Sequence, residues 1–590
     1  MDHLLGRLSS LFRRDIGAGV CFLGMALSSF TAAAFPLPSA ASPNASFRIQ
    51  AEHVPGEVIV KFRDKPLNNP AAARDVAAVH AALEARVVAT MPLTRVQRVR
   101  GARGQAAEAL MEAYARRADV EFVEPNYIFH VQATPNDPRF PEQWSLNNTG
   151  QTGGTPGADI GAVRAWDKQK GGASIIVADI DTGVDYTHPD LAANMWVNPG
   201  EIAGNGIDDD GNGFIDDVRG WDFANNDNNP MDDHGHGTHT AGTIGAAGNN
   251  AIGVTGVAWN VRIMPLKFIS GNGSGTSFGA AQAILYAARM GARISSNSWG
   301  GGAFSQAIEN AIATANQMGM LFVVAAGNAN TNNDTTASFP CNSTQPNVLC
   351  VAATDSNDQK ASFSNYGALS VDLGAPGVSI LSTVPTASCA MCSSSGYRFA
   401  SGTSMATPHV AGAAALVRSQ FPALGAVDIK NLLMSSVDKV SALTGKTVTG
   451  GRLNVARAVS AAAITVTARG TPVSGIYPIM HVRVDGQLIG SFNVNSGAYA
   501  EYAMAVLAAP GIAHGVDVMF TNDAYLPPED RNLIVQSLRV NATALLPTAS
   551  GVTYDRGAGN AAFDGVDVIA GQSGMWWNGA LRFAVPAAAF

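Results

Sequence analysis

The sequence of 590 residues is poor in cysteine and in charge. It contains five cysteines, its charged residues make up 14% of the chain, and its formal net charge is −8. A negative net charge argues against a protein that binds nucleic acid through a basic surface. The hydrophobic fraction of 46% is sufficient to bury at least one large core, and the length predicts two to four domains.

Long apolar runs are also scarce. One of them, GAGVCFLGMALSSFTAAAF, follows Arg13 and Arg14 and ends in small residues. This pattern predicts a signal peptide over residues 1–34, cleaved after Ala34. A retained membrane anchor is the alternative, but glycine and serine dilute the run and no second apolar run of spanning length follows. We therefore expect a secreted protein that has no membrane contact after processing.

Removal of the signal peptide would take away Cys21 and leave four cysteines. Four thiols in an exported chain predict two disulfides, for which three pairings are possible. Local closure favours Cys341–Cys350 and Cys389–Cys392. The spacing of the second pair also occurs in redox and metal motifs, but no second pair with that spacing accompanies it, which argues against a metal site.

The first block after the signal peptide, residues 53–132, alternates strand and helix patterns. Helical stretches are expected at residues 70–87 and 104–117, and the segment VEFVEPNYIFHV predicts a strand pair broken at Pro125. This order predicts a small α+β sandwich of ferredoxin-like type.

Two further blocks follow a proline-rich boundary. Residues 138–462 alternate continuous apolar runs with alanine-rich helices, which predicts a doubly wound α/β domain with a parallel sheet. Residues 470–590 carry strand patterns, a hairpin signal at Asp485-Gly486 and no long helical pattern, which predicts a β-sandwich.

Three reactive side chains follow strand or loop patterns of the α/β block. Asp181 ends the run SIIVADID, His236 begins a helix of small residues, and Ser404 lies in SGTSMATPHVAG. Strand-to-helix junctions of such a sheet gather at one edge, so the three can converge. His236 could take the proton of the Ser404 hydroxyl, while Asp181 would fix the tautomer of the imidazole. Asn328, after another buried strand, could donate to a developing oxyanion together with the Ser404 N–H.

These motifs resemble those of the subtilisin-family serine proteases, or subtilases. The resemblance covers about 320 residues, with the motifs in the family's order: Asp-Thr-Gly at 181–183, His-Gly-Thr-His at 236–239, Ala-Ala-Gly-Asn at 325–328 and Gly-Thr-Ser-Met-Ala at 402–406. Singly, these residues could be a helix cap, a core histidine or a turn former. Four motifs in order argue against that interpretation.

The resemblance implies a serine endopeptidase that acts through an acyl-enzyme and needs no organic cofactor. It implies two substrate-binding segments: Ser298, Trp299, Gly300 and Gly301, which would pair with an extended peptide, and Ala325, Ala326 and Gly327, which would form a pocket wall. Residues 53–132 resemble the inhibitory propeptide of the family, so we expect a self-processing zymogen cut between about Val131 and Asp137.

Asp179 departs from the subtilase pattern, which usually has an apolar residue at this position. Strand alternation places Asp179 on the same face as Asp181. A buried second carboxylate must be solvated, paired or bound to a cation, because burying it alone is unfavourable.

A run of acidic residues precedes the histidine motif. Its alternating part has the order of the first half of an EF-hand calcium loop: Asp208, Asp210 and Asn212, followed by Gly213. Arg219 stands where the EF-hand has a glutamate, so the segment is not an EF-hand. It resembles a calcium-binding insertion of some subtilases, with Asp216 or Asp217 completing the shell. A solvated acidic loop is the alternative to this structural calcium site.

The last block resembles the calcium-dependent xylan-binding modules of plant-wall hydrolases over about 115 residues. The resemblance implies a calcium site at Asp523, Glu529 and Asp530. It implies aromatic sugar platforms at Tyr525, Trp576 and Trp577. The alternative is a sandwich kept for stability or secretion, with the tryptophan pair in its core.

The sequence therefore predicts a secreted protease zymogen whose partners are protein or peptide substrates, its own propeptide as inhibitor and a polysaccharide. Nothing in it indicates nucleic acid or an obligate oligomer, so we expect a monomer. A catalytically silent wall-binding protein is one rival, against which the intact triad argues. An esterase or acyltransferase is another, and the substrate-pairing segment and the propeptide disfavour it.

Overall fold

The computed structural model describes residues 53–63, 70–102, 105–128, 134–301 and 303–590. The predicted signal peptide and the first part of the predicted cleavage region, residues 131–133, lie outside this described part of the chain. Within the described residues, no helix combines the length and the apolar character needed to span a membrane.

The first block is a four-stranded antiparallel sheet with two helices. Its elements are β1 (His53–Phe62), α1 (Pro70–Ala82), β2 (Arg86–Thr90), β3 (Gln97–Arg100), α2 (Ala107–Ala115) and β4 (Val120–Tyr127). The strand order β2-β3-β1-β4 is that of a ferredoxin-like βαββαβ unit. The expected break at Pro125 is wrong, because β4 is continuous through it. As an edge strand, β4 tolerates a residue without an N–H.

The middle block is an α/β domain around a nine-stranded sheet. Its elements are α3 (Ala162–Trp166), β5 (Gly171–Asp181), β6 (Trp221–Asp222), α4 (His236–Gly245), β7 (Asn260–Lys267), α5 (Ser277–Arg289), β8 (Ile294–Asn297), α6 (Gln306–Gln317), β9 (Leu321–Ala325), β10 (Val348–Thr354), β11 (Leu373–Pro376), β12 (Ile380–Thr383), β13 (Tyr397–Ala400), α7 (Thr403–Gln420), α8 (Ala426–Ser435), β14 (Asp438–Lys439), β15 (Gly451–Arg452) and α9 (Val455–Val459).

The strand order of this sheet is β14-β15-β11-β10-β9-β8-β5-β7-β6, parallel except for the β14–β15 pair. Helices α4 and α7 contribute to the hydrophobic core on one face, and α5 and α6 to the core on the other. Strands buried on both faces have no polar side, which explains their continuous apolar runs. The doubly wound α/β prediction is confirmed.

The two disulfides join the cysteines that local closure favours. Cys341 is bonded to Cys350 at the start of β10, and Cys389 is bonded to Cys392 in the loop between β12 and β13.

The last block is a sandwich of two six-stranded sheets around one apolar core. Its strands are β16 (Ala462–Thr471), β17 (Ile479–Val484), β18 (Gln487–Asn493), β19 (Ala500–Val506), β20 (His514–Phe520), β21 (Ala524–Leu526), β22 (Glu529–Val540), β23 (Thr543–Leu545), β24 (Thr553–Arg556), β25 (Val568–Ala570), β26 (Gly574–Met575) and β27 (Gly579–Val585).

The sandwich joins the α/β domain almost without a connection. Only Ser460 and Ala461 separate α9 from β16, so a start at residue 470 would cut through the first strand of the sandwich. Leu507, just after β19, packs against the hydrophobic core of the α/β domain. Because helix α9 leads almost directly into a strand, no loop signal marks the domain boundary in the sequence.

Candidate active site

Asp181 and His236 meet at the carboxyl edge of the parallel sheet. Asp181 is the last residue of β5 and is fully buried, and His236 is the first residue of α4. The distance from His236 Nδ1 to Asp181 Oδ1 is 2.7 Å, and the same oxygen accepts the N–H of Thr182 at 2.8 Å. Gly235 precedes the helix with a φ of 96°, a conformation that favours glycine.

The environment of His236 favours its protonated form. Burial lowers the pKa of His236, but the carboxylate of Asp181 on Nδ1 and the charge of Asp232 outweigh burial, so the pKa is raised above its ordinary value. The side chain remains 19% exposed, which leaves the imidazole accessible from the solvent side.

Asp232 is a residue of the site that the sequence analysis did not single out. Its carboxylate is buried and accepts five hydrogen bonds, from Thr182 Oγ1, the N–H groups of His234 and Gly235, and both the N–H and the hydroxyl of Thr238. It thereby ties the end of β5 to the first turn of α4. Asp232 lies three residues before Gly235, which caps the helix, so its position carries no spacing signal by which the sequence could have identified it.

Ser404 lies in the first turn of α7, next to the end of strand β8. Its hydroxyl donates to the carbonyl oxygen of Ser298 at 3.0 Å, and the Ser298 hydroxyl donates to the Ser404 carbonyl oxygen at 2.9 Å. Among the hydrogen bonds of the described residues there is none between Ser404 and His236. Such contacts are often loose before substrate binds, and a change of the Ser404 rotamer would redirect the hydroxyl.

Asn328 is oriented by the residue that precedes Ser404. Its Oδ1 accepts the N–H of Thr403 at 2.8 Å and the Thr403 hydroxyl at 3.0 Å, so its amide Nδ2 remains available as a donor. A methyl group built on Gly402 would lie 3.6 Å from both Asn328 Nδ2 and the backbone nitrogen of Ser404. The two donors therefore border the same small space, as an oxyanion hole requires.

The two expected substrate-binding segments follow neighbouring parallel strands. Ser298 comes directly after β8, and Gly327 comes two residues after the end of β9. Trp299 packs its ring edge-to-face against Phe268, with 4.9 Å between the ring centroids. Ala326 is fully buried. The side chains of Trp299 and Ala326 thus belong to the core, and the backbone of these segments is what a peptide could reach.

The remaining residues of these segments are Gly300, Gly301 and Ala325. Gly300 and Gly301 are exposed, whereas Ala325 ends β9 and is nearly buried. The Gly301 N–H donates to the carbonyl of Phe339 at 3.1 Å. That N–H is therefore already engaged, whereas Ser298 is hydrogen-bonded to Ser404 itself.

The acidic loop brings three carboxylates together: the predicted Asp208 and Asp210, and Glu201, which the sequence did not single out. Oxygen atoms of Glu201, Asp208 and Asp210 lie within 4.8 Å of one another. Among the described residues, no Lys or Arg forms an ion pair with these three. An all-oxygen, uncompensated donor set fits calcium, and these residues would hold it. Glu201 was missed because it lies seven residues before the alternating motif.

Asp216 and Asp217, expected to complete the calcium shell, have other partners. Asp216 accepts the N–H groups of residues 204, 205 and 206. Buried Asp217 accepts from the side-chain amides of Asn198 and Asn212 and from the hydroxyl of Tyr286. Asn212 thus also turns its amide toward carboxylates, as a donor.

The sandwich has a cavity of about 380 Å³ lined partly by predicted ligand residues. Its lining is Asp523, Arg556, Gly557, Ala558, Asp567, Trp577 and Asn578. Burial and the nearby charge of Asp530 raise the pKa of Asp523. Glu529 instead accepts the N–H of Ser474 at 2.7 Å.

The three predicted sugar platforms are all partly exposed, but only one borders this cavity. Trp577 is 51% exposed and lines it, with the Arg556 guanidinium 5.2 Å from its ring centroid. Tyr525 and Trp576 are exposed outside the lining, so the tryptophan pair is not a core element.

Comparison with known proteins agrees with this architecture. Residues 172–458 match the subtilase family, residues 40–126 match the fervidolysin N-terminal prodomain, and residues 463–555 match a Ca-dependent, xylan-binding carbohydrate-binding module. The fold and these matches define a serine protease with a prodomain and a carbohydrate-binding module.

Similarity to individual proteases identifies the family of the chain. It is 36% identical over 446 residues to the thermophilic serine proteinase of Bacillus sp. (strain AK1), covering 74% of this chain and 97% of that protein. It is 39% identical over 327 residues to thermitase of Thermoactinomyces vulgaris, covering 55% and 99%. An extracellular protease of Xanthomonas campestris pv. campestris is 36% identical over 398 residues, covering 63% and 66%. The chain belongs to the subtilase family.

Proposed function

We propose that the chain is a secreted serine endopeptidase zymogen that uses Asp181, His236 and Ser404 as its catalytic triad. The observation that carries this proposal is the short Asp181–His236 hydrogen bond at the same sheet edge as Ser404 and the oriented amide of Asn328. Neither an esterase nor a catalytically silent scaffold would need the N-terminal prodomain that residues 40–126 match.

In the proposed reaction His236 Nε2 takes the proton of Ser404 Oγ as the oxygen attacks the scissile carbonyl. The oxyanion receives hydrogen bonds from Asn328 Nδ2 and the N–H of Ser404. His236 then gives its proton to the leaving amine, and water repeats the sequence on the acyl-enzyme. Asp181 holds Nδ1 protonated and stabilises the imidazolium, which agrees with the raised pKa of His236.

Substrate would pair with the backbone that follows β8. Ser298 already offers its carbonyl oxygen to the Ser404 hydroxyl, so an arriving peptide N–H could take over that acceptor and release the hydroxyl toward His236. Gly300, Gly327 and the end of β9 at Ala325 would border the residue before the cut. Residues 53–132 would occupy this site as an inhibitor until cleavage between about Val131 and Asp137.

Calcium and polysaccharide are the further partners that we propose. Glu201, Asp208 and Asp210 would hold a calcium ion that stabilises the loop before α4. The sandwich would bind a polysaccharide at the cavity of Asp523, Asp567 and Trp577, in keeping with its match to a xylan-binding module. Residues 1–34 would direct export, and the related extracellular protease of Xanthomonas supports this location.

The test compares the full chain with its Ser404→Ala variant, expressed in calcium, by intact mass and casein hydrolysis. We expect the wild type to lose its N-terminal region and to digest casein, and the variant to do neither. Ser394→Ala, which changes an exposed serine in the loop between β12 and β13, is the control and should behave as the wild type. An active Ser404→Ala protein would refute the proposed nucleophile.

A further inference from the structure

A second buried carboxyl lies beneath the proposed triad. Asp179 precedes Asp181 by two residues on β5, points to the same face of the sheet and is 0% exposed. Its partners in register are Pro265 on β7 and Ser296 on β8. Among the described residues its side chain forms hydrogen bonds with Thr240 alone, on the second turn of α4.

The Thr240 hydroxyl has one hydrogen atom but lies near three oxygen atoms, and this limits the hydrogen bonds that it can form. Thr240 Oγ1 lies 3.1 Å and 3.0 Å from the two oxygens of Asp179 and 2.9 Å from the carbonyl oxygen of Gly237. An ionised Asp179 would make all three oxygens acceptors that compete for one hydroxyl hydrogen. A protonated Asp179 donates to Thr240 Oγ1, and the Thr240 hydroxyl then donates to the Gly237 carbonyl.

Burial and the neighbouring charges together favour the neutral form of Asp179, against the opposing effect of the hydrogen bond with Thr240. Burial, and to a smaller extent the charges of Asp181 and Asp232, raise the pKa of Asp179 well above its ordinary value. The imidazole of His236 faces Asp181. The other histidines of the helices packed on this face, His239 on α4 and His409 on α7, are neutral at neutral pH because burial lowers the pKa of each to about 4.

No metal ion is needed to explain the buried acid. Within the described residues, the carboxylates of Asp179, Asp181 and Asp232 do not form a cluster with oxygens close enough to share an ion. Asp179 is fully buried, so bulk water does not solvate its carboxyl. The carboxyl is instead accommodated by hydrogen bonding with Thr240.

We propose that Asp179 is a neutral carboxylic acid that acts as a positioning residue for His236. Through Thr240 and the Gly237 carbonyl it fixes the first turn of α4 without placing a second negative charge beside Asp181. This inference rests on the proposed triad for its link to activity, but the protonation of Asp179 can be tested without activity.

The first test measures stability in a Ser404→Ala background, which removes self-digestion. A carboxyl that is protonated in the folded state and ionises in the unfolded state loses stability as the pH rises. Relative to Asp179→Asn, which cannot ionise, the unfolding constant should rise about tenfold per pH unit from about pH 4 up to the folded-state pKa. The readout is hydrogen exchange of the slowest amides of β5 and α4. A ratio that does not change with pH would overturn the proposal.

The second test measures kcat, KM and the pH profile of the mature enzyme with a peptide p-nitroanilide. We expect Asp179→Ala to lose about tenfold in kcat with little change in KM, and Asp179→Asn, whose amide can donate to Thr240, to restore most of it. The acid limb of kcat/KM should keep its midpoint in Asp179→Asn. An acid limb displaced to lower pH would show that Asp179 is ionised, and an Ala variant as active as the wild type would show that it positions nothing.

If the wild type hydrolyses no substrate, the second test has failed with the proposed function. The stability ratio of the first test still decides whether Asp179 is protonated, so the two failures are distinguishable.

Discussion

The two candidate sites of this molecule are built in opposite ways. At the edge of the parallel sheet, Asp181, Asp232 and Thr403 are buried, and their side chains are held by short hydrogen bonds from within the chain. In the sandwich, Asp523 lies near the like charge of Asp530, and Trp577 is half exposed. Hydrogen bonds within the chain order the first site, whereas the second keeps a half-exposed aromatic ring and two carboxylates on an open cavity, where a ligand could reach them.

This difference determines what mutations should do. Changes at the sheet edge should reduce the rate of reaction with little effect on binding, because they remove preorganised hydrogen bonds. Changes in the acidic loop and the sandwich should alter the response to added calcium or sugar and leave the intrinsic rate of peptide hydrolysis unchanged.

The largest effect should come from Asp181→Asn. The amide would present its N–H or its oxygen to His236 Nδ1 and would no longer stabilise an imidazolium, so kcat should fall by about 10⁴-fold. Steady-state kinetics on a peptide substrate measure this. Asp227→Asn, which changes an exposed carboxylate, is the control. A loss below about tenfold would contradict the role of Asp181.

A smaller loss of rate is expected for Thr403→Val. Valine keeps the shape of threonine but removes the hydroxyl that donates to Asn328 Oδ1. Removing an oxyanion-hole amide from subtilisin reduces kcat by about 10²–10³-fold, and misorienting Asn328 should lose about the lower value. KM should change little. A variant in which KM rises and kcat does not fall would indicate a role in substrate binding instead.

Calcium removal tests the loop before α4. If Glu201, Asp208 and Asp210 hold an ion, calcium at about 100 times its Kd should stabilise the folded chain by about 2.7 kcal/mol, as measured by unfolding with and without chelator. Glu201→Gln should reduce this difference. Glu501→Gln, at an exposed carboxylate of the sandwich, should retain it.

Trp577→Ala should weaken binding of xylan by about fivefold in Kd, because an aromatic contact contributes about 1 kcal/mol beyond its buried area. Trp576→Ala is the matched change, since Trp576 is similarly exposed but does not line the cavity. Affinity electrophoresis in xylan gels distinguishes the two. Equal losses for both variants would move the binding surface away from the cavity.

The smallest expected effect is a displacement in pH. Proteolysis requires neutral His236, and the pKa of His236 is raised in the folded chain. The acid limb of kcat/KM should therefore have its midpoint above about pH 6.5, the ordinary value for histidine. A pH profile of kcat/KM at saturating calcium checks this, and a midpoint below 6.5 would show that burial outweighs the carboxylates.

The sequence predicted the layers of the fold better than their boundaries. Continuous apolar runs indicated the parallel sheet because its strands are covered on both faces. The β2–β3 hairpin of the first block was missed, since Arg86–Thr90 is exposed throughout and has no apolar alternation. The start of the sandwich was placed too late, because only Ser460 and Ala461 separate α9 from β16 and no turn signal marks the boundary.

The sequence predicted the residues that carry the chemistry. The residues that hold them in place by hydrogen bonds were harder to predict. Asp181, His236, Asn328 and Ser404 stand in recognisable motifs, and the structure brings them to one sheet edge. Their supports are less visible, because a threonine or an aspartate that binds backbone N–H groups has no distinctive spacing. The acidic loop shows the same limit, because Glu201 lies seven residues before the alternating motif and Asp216 accepts the amides of a turn twelve residues earlier in the chain.

The short connection between α9 and β16 has a consequence for how the enzyme would work on a surface. A long flexible linker lets a catalytic domain sweep a volume around its anchor, with a reach that grows with linker length. Here Ser460 and Ala461 leave no such freedom, and Leu507 packs the sandwich onto the α/β core. Once bound to a polysaccharide, the protease would present its active site at one height and in one orientation, so the proteins it cuts would be those embedded at that distance from the fibre.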